Sequence, residues 1–282
     1  MSVLRLILGD QLSIQISSLK GVNKEKDKIL MCEIQEETQY VKHHKKKIAF
    51  IFSAMRHFSR DLELQGYPIF YVKLDDPLNT GSFLGEIKRC VEKQEIEKIV
   101  VTHPGEYRLL KEIESWSSQL KLPVEIKEDD RFLCGLSEFN EWSNGRSQVR
   151  MEYFYREMRK KYDILMEGDL PVGGQWNYDR DNRKPYKALN SFPEYTTFSQ
   201  DDITQEVLAL VEKRFSDHFG DLLPFHFAVT KAEAEKVLYE FIKNRLVFFG
   251  DYQDVMIEGQ PWLYHSHLSF YLNVGLVLPL IV

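Results

Sequence analysis

Along the first half of the chain, short apolar runs rich in β-branched residues recur at residues 3–8, Lys28–Cys32, 68–73, Lys98–Thr102 and 123–127. Between them the apolar positions switch to helical spacing. Ile48, Ile51, Phe52, Met55 and Leu62 make one stripe, and Tyr107, Leu110, Ile113 and Leu120 make another. Strands alternating with helices predict an α/β fold, a doubly wound parallel sheet with right-handed crossovers. The pattern changes near Arg146. Met151, Phe154, Tyr155, Met158, Tyr162 and Leu165 form a stripe that reads as helix packed in a core. Residues 201–216 read as a further helix. Thr230-Lys231-Ala232-Glu233 is a capping box that opens another, running to about Phe248. A last helix is predicted to begin near His265, with Ser266, His267 and Ser269 in its first turn. The second half is therefore helical.

The composition is that of a globular protein: 282 residues, 43% hydrophobic and 28% charged. A net charge of −6 gives no overall basic character, which leaves nucleic-acid binding to local patches. Cys32, Cys90 and Cys134 have no metal-ligand spacing, and they suit a reducing compartment. There is no signal peptide pattern and no apolar run of the roughly 18–20 residues that a membrane span needs. The expectation is a soluble, cytoplasmic protein with no metal site in these residues. The chain stops on the apolar GLVLPLIV, which reads as a chain cut off within a core, in preference to a buried C-terminal segment.

In open parallel sheets ligands bind beyond the carboxyl ends of the strands, where the strand order reverses. The segments placed there are Gly9-Asp10-Gln11, residues 32–40 with Cys32, Glu37 and Tyr40, and His103-Pro104-Gly105-Glu106. Carboxylates with an aromatic neighbour suit a flat heterocycle bearing N–H donors. Solvated loop acids would leave the same pattern. No GxGxxG or GxxxxGK[ST] fingerprint is present. His43-His44-Lys45-Lys46-Lys47 reads as a solvated charge run or as a phosphate-binding patch. Residues 168–199 are rich in Gly, Pro and Asn and lack periodicity, as functional loops and linkers do. From Arg146 to Lys187 there are ten Lys/Arg against seven Asp/Glu, interleaved with Trp176 and Tyr178. That mixture suits base stacking and phosphate contacts. An aromatic-anchored strap between domains would look the same. Around Ser266 the hydroxyls and the start of a helix suit an anion, or a plain N-cap.

SHLSFYLNVGL at residues 266–276 resembles the S-x-L-S-x-Y-L-x-x-G signature of photolyases and cryptochromes. LILGDQLS (6–13), HHKKKIAFIFSAMRHF (43–58), MEYFYREMRKK (151–161) and PVGGQWNYD (171–179) narrow the resemblance to the bacterial (6-4) photolyase group, the iron–sulfur cryptochrome/photolyase proteins. The resemblance runs along the whole chain and covers the amino-terminal part of such proteins, which are roughly twice this length.

The resemblance implies a Rossmann-like antenna domain over residues 1–135, a connecting helix and interdomain loop over 136–200, and the beginning of an all-helical FAD-binding domain over 201–282. It implies a 6,7-dimethyl-8-ribityllumazine antenna held by Asp10, Gln11, Cys32, Glu37, Tyr40, Ile51 and Glu106, with Glu37 bonding the polar ring edge and Ile51 packing on its face. Ser266, His267, Leu268 and Ser269 would hold the FAD pyrophosphate, with Tyr252 as a further FAD contact. Asp179, Arg183 and Lys184 would face damaged DNA. The activity implied is light-driven repair of (6-4) or cyclobutane pyrimidine lesions by electron transfer from reduced FAD. The ligands of the family's iron–sulfur cluster are absent here, as are its lesion-site residues. A cryptochrome-like photosensory module without repair, or an inactive truncated product, are the other readings of the same residues. No protein partner is implied.

Overall fold

The computed structural model describes residues 2–182, 184, 186 and 192–282. All five apolar runs are strands: β1 (Val3–Leu6), β2 (Lys28–Cys32), β3 (Ile69–Val72), β4 (Lys98–Thr102) and β5 (Val124–Lys127). They form one parallel sheet in the order β3-β2-β1-β4-β5. Central β1 pairs with β2, Leu4 facing Lys28, and with β4, Val3 facing Lys98. Because β1 is flanked by β2 and β4, the direction of winding reverses at its carboxyl end.

The crossover helices are α1 (Gln35–Gln39), α2 (Lys45–Leu64), α3 (Phe83–Lys93) and α4 (Tyr107–Leu120). One face of the sheet buries Leu4, Leu6, Leu30, Val72, Ile99 and Val101 against Phe83 and Ile87 of α3 and Ile113 and Trp116 of α4. The other face buries Ile7, Ile29 and Met31 under α2. Side chains such as Phe52 and Met55, fully removed from water, each contribute about 1.5–3 kcal/mol. Arg5 lies within central β1, but its charge is matched. Its Nε donates to Asp27 at 2.8 Å, and its other nitrogens donate to the carbonyls of Ser18, Lys20 and Gly21. Those bonds fix the chain between β1 and β2.

The second half contains α5 (Leu136–Ser143), α6 (Met151–Tyr162), a small hairpin of β6 (Met166–Glu167) and β7 (Leu170–Pro171), then α7 (Asp202–Arg214), α8 (Lys231–Asn244), α9 (Leu246–Tyr252) and α10 (Ser269–Val274). The core under α2 continues into this half without a break. Val207 and Val211 of α7, Val237 and Phe241 of α8, and Tyr271 and Val274 of α10 belong to it. The Leu12 N–H donates to the Val274 carbonyl at 2.8 Å, which ties the loop after β1 to the end of α10.

Three expectations are corrected. The Met and aromatic stripe of α6 is not core: Met151, Tyr155 and Leu165 are exposed, while Arg159 is buried. Phe154 packs on the neighbouring α5, against Phe139 and Trp142. Helical spacing shows which face is apolar, not that something covers it. The helix from the Thr230 capping box ends at Asn244, because Arg245 leaves the helical region (φ −128°, ψ −32°) before α9 begins. Finally, the stretch 168–199 starts with regular structure, since Leu170–Pro171 pairs back on Met166–Glu167.

Candidate functional site

The loops that follow β1, β2 and β4 meet at the carboxyl edge of the sheet. The turn after β1 lies hard against α2: a Cβ on Gly9 would come within 3.1 Å of the Met55 sulfur and 3.2 Å of Ile51 Cγ2. Gly105, after β4, faces the Asp10 carboxylate, and a Cβ there would lie 3.0 Å from its Oδ2. Burial raises the Asp10 pKa, and the neighbouring Arg131 opposes the rise. Arg131 also donates to the Asp10 carbonyl. Gln11 is fully buried. Its amide donates to the Thr102 and His103 carbonyls at 3.0 and 3.3 Å, and its oxygen accepts from the Leu8 N–H. It locks the end of β1 to the end of β4.

Above that floor four side chains form a rim. Arg108 Nη2 donates to both Glu37 oxygens, at 2.9 and 2.7 Å, and to Glu106 at 3.2 Å. The Tyr40 hydroxyl donates to Glu106 at 3.1 Å, and the Arg108 guanidinium lies 4.5 Å from the Tyr40 ring centroid. His43 meets Tyr40 edge to face at 5.3 Å. Burial raises the Glu37 pKa despite Arg108. Burial and then Glu106 raise that of Tyr40. Burial and then Lys47 lower that of His43.

Asp10, Gln11, Glu37, Tyr40, Ile51 and Glu106 are thus brought to one end of the sheet by loops and helix far apart in sequence. Cys32 sits one layer below, in the core with Ile34, Ile87 and Cys90. Burial and the nearby Glu86 push its thiol pKa well up, so it is a neutral packing group. Arg108 was missed from the sequence. Its signal was a cation in the first turn of α4, where the helix dipole favours anions and a carboxylate partner must therefore be sought. As a set, a carboxylate pair, a phenol ring, an aliphatic face and two glycine turns fit a flat heterocycle with N–H groups.

The second predicted group lies in the helical half. α10 begins at Ser269 and spans six residues, so Ser266 and His267 precede the helix rather than occupy its first turn. His267 takes a left-handed backbone (φ 56°), which breaks the helix on that side. Its Nε2 lies 3.2 Å from the Trp262 carbonyl, and burial lowers its pKa to about 4. His267 is therefore neutral at physiological pH. Leu268 is buried, Ser266 is half-buried and Ser269 is exposed. The hydroxyls bracketing a tight backbone turn fit the phosphate end of a nucleotide cofactor. Tyr252 stacks in a ring cluster with Tyr186 and Tyr264.

Of the DNA-facing group, Asp179 is exposed and Lys184 pairs with Asp251 at 2.9 Å. Arg183 lies outside the described residues. Trp176 lies over α6 with Arg156, Arg159 and Lys160 at 5.4–5.6 Å from its ring centroid. In the basic run after α1, His44 caps α2 by accepting from the Lys46 N–H, and Lys42, just before the run, pairs with Asp217.

The sequence pattern of the deoxyribodipyrimidine photo-lyase-related protein family matches residues 5–227. The chain belongs to that family. It is 49% identical over 277 residues to a (6-4) photolyase of Agrobacterium fabrum, an alignment covering 98% of this chain and 55% of that protein. A protein of Acanthamoeba polyphaga mimivirus called uncharacterized protein R852 is 24% identical over 152 residues, covering 52% of this chain and 75% of its own. In fold, the photolyase-related chain is similar to a bacterial class III photolyase from Agrobacterium tumefaciens, with a TM-score of 0.52 and 13% identity. That likeness covers 99% of this chain and 51% of the other. The chain spans about half the length of the two photolyases. No described helix is long and apolar enough to cross a membrane.

Proposed function

We propose that these residues form the antenna-bearing half of a light-driven, flavin-dependent DNA repair protein that acts on pyrimidine lesions of the (6-4) or cyclobutane type. The observation that carries this reading is the rim of Glu37, Tyr40, Glu106 and Arg108 at the switch point of the sheet. It occurs in a chain 49% identical to a (6-4) photolyase.

In this reading 6,7-dimethyl-8-ribityllumazine binds at the rim. Glu37 accepts from the N–H edge of its ring system, Ile51 supplies an apolar face, Asp10, Tyr40 and Glu106 position the polar side groups, and Gln11 serves the pocket from beneath by locking the loop that carries Asp10. Cys32 supports the floor from beneath. Ser266, His267, Leu268 and Ser269 hold the FAD pyrophosphate, with Tyr252 beside it. When bound, FAD supplies the photoexcited electron that opens the lesion, and the lumazine supplies harvested light. The protein's task is to fix distance, orientation and polarity. A neutral His267, its N–H spent on the Trp262 carbonyl, serves by shaping the turn rather than by donating to phosphate. In the same reading Asp179, Arg183 and Lys184 contact damaged DNA, where a flipped lesion is the cheapest base to extrude. The division into 1–135, 136–200 and 201–282, and a cytoplasmic location, belong to the same proposal.

An absorption spectrum of the purified chain, before and after adding FAD and the ribolumazine, tests it. The expected result is a lumazine band that Glu37→Ala removes. A wild-type chain that takes up no lumazine would sink the antenna reading, and one that takes up no FAD would sink the second site.

A further inference from the structure

The rim contains one residue whose position the pigment alone does not require. We propose that Arg108 is the positioning residue of this pocket, holding Glu37 aimed as a carboxylate and yielding one of its two oxygens to the N–H edge of an incoming flat heterocycle. The proposal rests on the antenna reading above and deepens it.

The geometry supports a yielding contact rather than a fixed bridge. A single nitrogen, Nη2, serves both Glu37 oxygens, at 2.9 and 2.7 Å. A ligand that takes one oxygen leaves the other bond in place. Arg108 also keeps two further holds, the 3.2 Å bond to Glu106 and its stacking on Tyr40. Tyr40 is itself anchored to Glu106 at 3.1 Å. The guanidinium therefore stays in register while the carboxylate changes partner. The Glu37 side chain is 26% exposed, so its carboxylate can be reached from solvent.

The charges explain why the cation is needed. Glu37 faces Glu36 on its own helix and Glu106 at the start of α4, and Glu112 lies within range along α4. Tyr40 and His43 close the group from the chain after α1, with Lys47 of α2 beyond His43. Arg108 is the cation that touches the acids directly. Without it, the half-buried carboxyl, with other acids beside it, is shifted further toward its protonated form, which meets an N–H edge with one acceptor oxygen and one hydroxyl. Lysine would keep the charge but not the planar stacking on Tyr40 or the shared reach to both acids.

The test is a fluorescence titration of the ribolumazine across acid to neutral pH, with wild type, Arg108→Ala, Arg108→Lys and Glu37→Gln. Ligand ionisation is common to all four proteins, so differences in pH midpoint report the pocket. Arg108→Ala is expected to move the acid midpoint of binding up by about one pH unit and to weaken binding about tenfold at neutral pH. Arg108→Lys should restore most of the midpoint while leaving binding weaker. Glu37→Gln should bind weakly with no acid step. Wild-type binding with an Arg108→Ala profile superimposed on it would overturn the role of Arg108 and leave the antenna reading standing. Absence of Glu37-dependent binding in wild type would overturn both.

Discussion

The His57 imidazole of α2 and the Asp201 carboxylate meet at 2.8 Å, and Asp201 is also the N-cap of α7, accepting from the Thr204 N–H at 2.9 Å. One carboxylate thus starts α7 and fastens it to the helix that covers the sheet. His57 is held in turn, its Nδ1 lying 2.7 Å from the Ser53 carbonyl. Burial alone would raise the Asp201 pKa, but Thr204 and His57 bring it below its ordinary value. The stability it contributes is therefore present above the ordinary carboxylate range and is lost as pH falls through the lower folded value. Asp201→Ala is expected to cost about 1–2 kcal/mol, most of it the cap, and Asp201→Asn less. In thermal melts, acid should narrow the gap between wild type and Asp201→Ala. A gap that does not change with pH would remove the carboxylate from the account.

Glu33 is a second joint, and a far less forgiving one. It is fully buried, and it accepts from Arg56 at 2.6 and 3.0 Å, from the Tyr71 hydroxyl at 2.8 Å and from the Leu74 N–H at 2.8 Å. Removing it leaves the buried Arg56 guanidinium with the half-exposed Glu206, at 3.1 Å, as its remaining ion-pair partner. Glu33→Ala should destabilise the chain by about 3–5 kcal/mol in urea titrations. A double Glu33→Gln, Arg56→Met substitution should recover much of that, because it removes the buried charge. Equal losses in the single and double variants would show that the pair contributes nothing beyond packing.

The sheet was legible in the sequence because buried parallel strands are short runs dominated by apolar, β-branched residues, and these recur between stretches of helical spacing, even where Arg5 or Glu125 interrupts them. The switch-point loops followed from topology: once β1 is central, Asp10 and Glu106 must be neighbours. Arg108 left only the weak signal of a cation in a helix's first turn, because the partner that gives it a role, Glu37, is 71 residues away and only the fold brings it there. The start of α10 was misplaced for a local reason. Ser266 has the chemistry of a cap, but the left-handed His267 sits between it and the helix. The α6 stripe misled in the opposite way, since an apolar face predicts helix and says nothing about cover.

Tyr239, Ile242, Leu246 and Val247 lie exposed along α8 and α9, Val247 at 81%. Large apolar side chains gathered on one surface bind hydrophobic dyes and promote association. The purified chain is expected to enhance fluorescence of such a dye in its native state, and Ile242→Lys with Val247→Glu should remove most of the signal without lowering the melting temperature. A native chain that leaves the dye dark would mean this surface is covered in solution.

The DNA-facing assignment is tested best by salt rather than by affinity alone. A lysine or arginine that contacts a phosphate releases counterions, so removing it weakens binding and flattens the salt dependence by about one unit of slope per contact. Lys184 is exposed and its ion pair with Asp251, at 2.9 Å, is a surface contact that solvent and phosphate can compete for. Arg183→Ala with Lys184→Ala should reduce the slope by roughly two for single-stranded and lesion-containing DNA alike, because phosphates carry no sequence information. Lys161 is the control. It is tied to Glu138 at 2.6 Å on the α5–α6 side, and Lys161→Ala should leave the slope unchanged. If Lys161→Ala flattens the slope and the double variant does not, the DNA surface belongs on α5 and α6, where Trp176 already gathers Arg156 and Lys160.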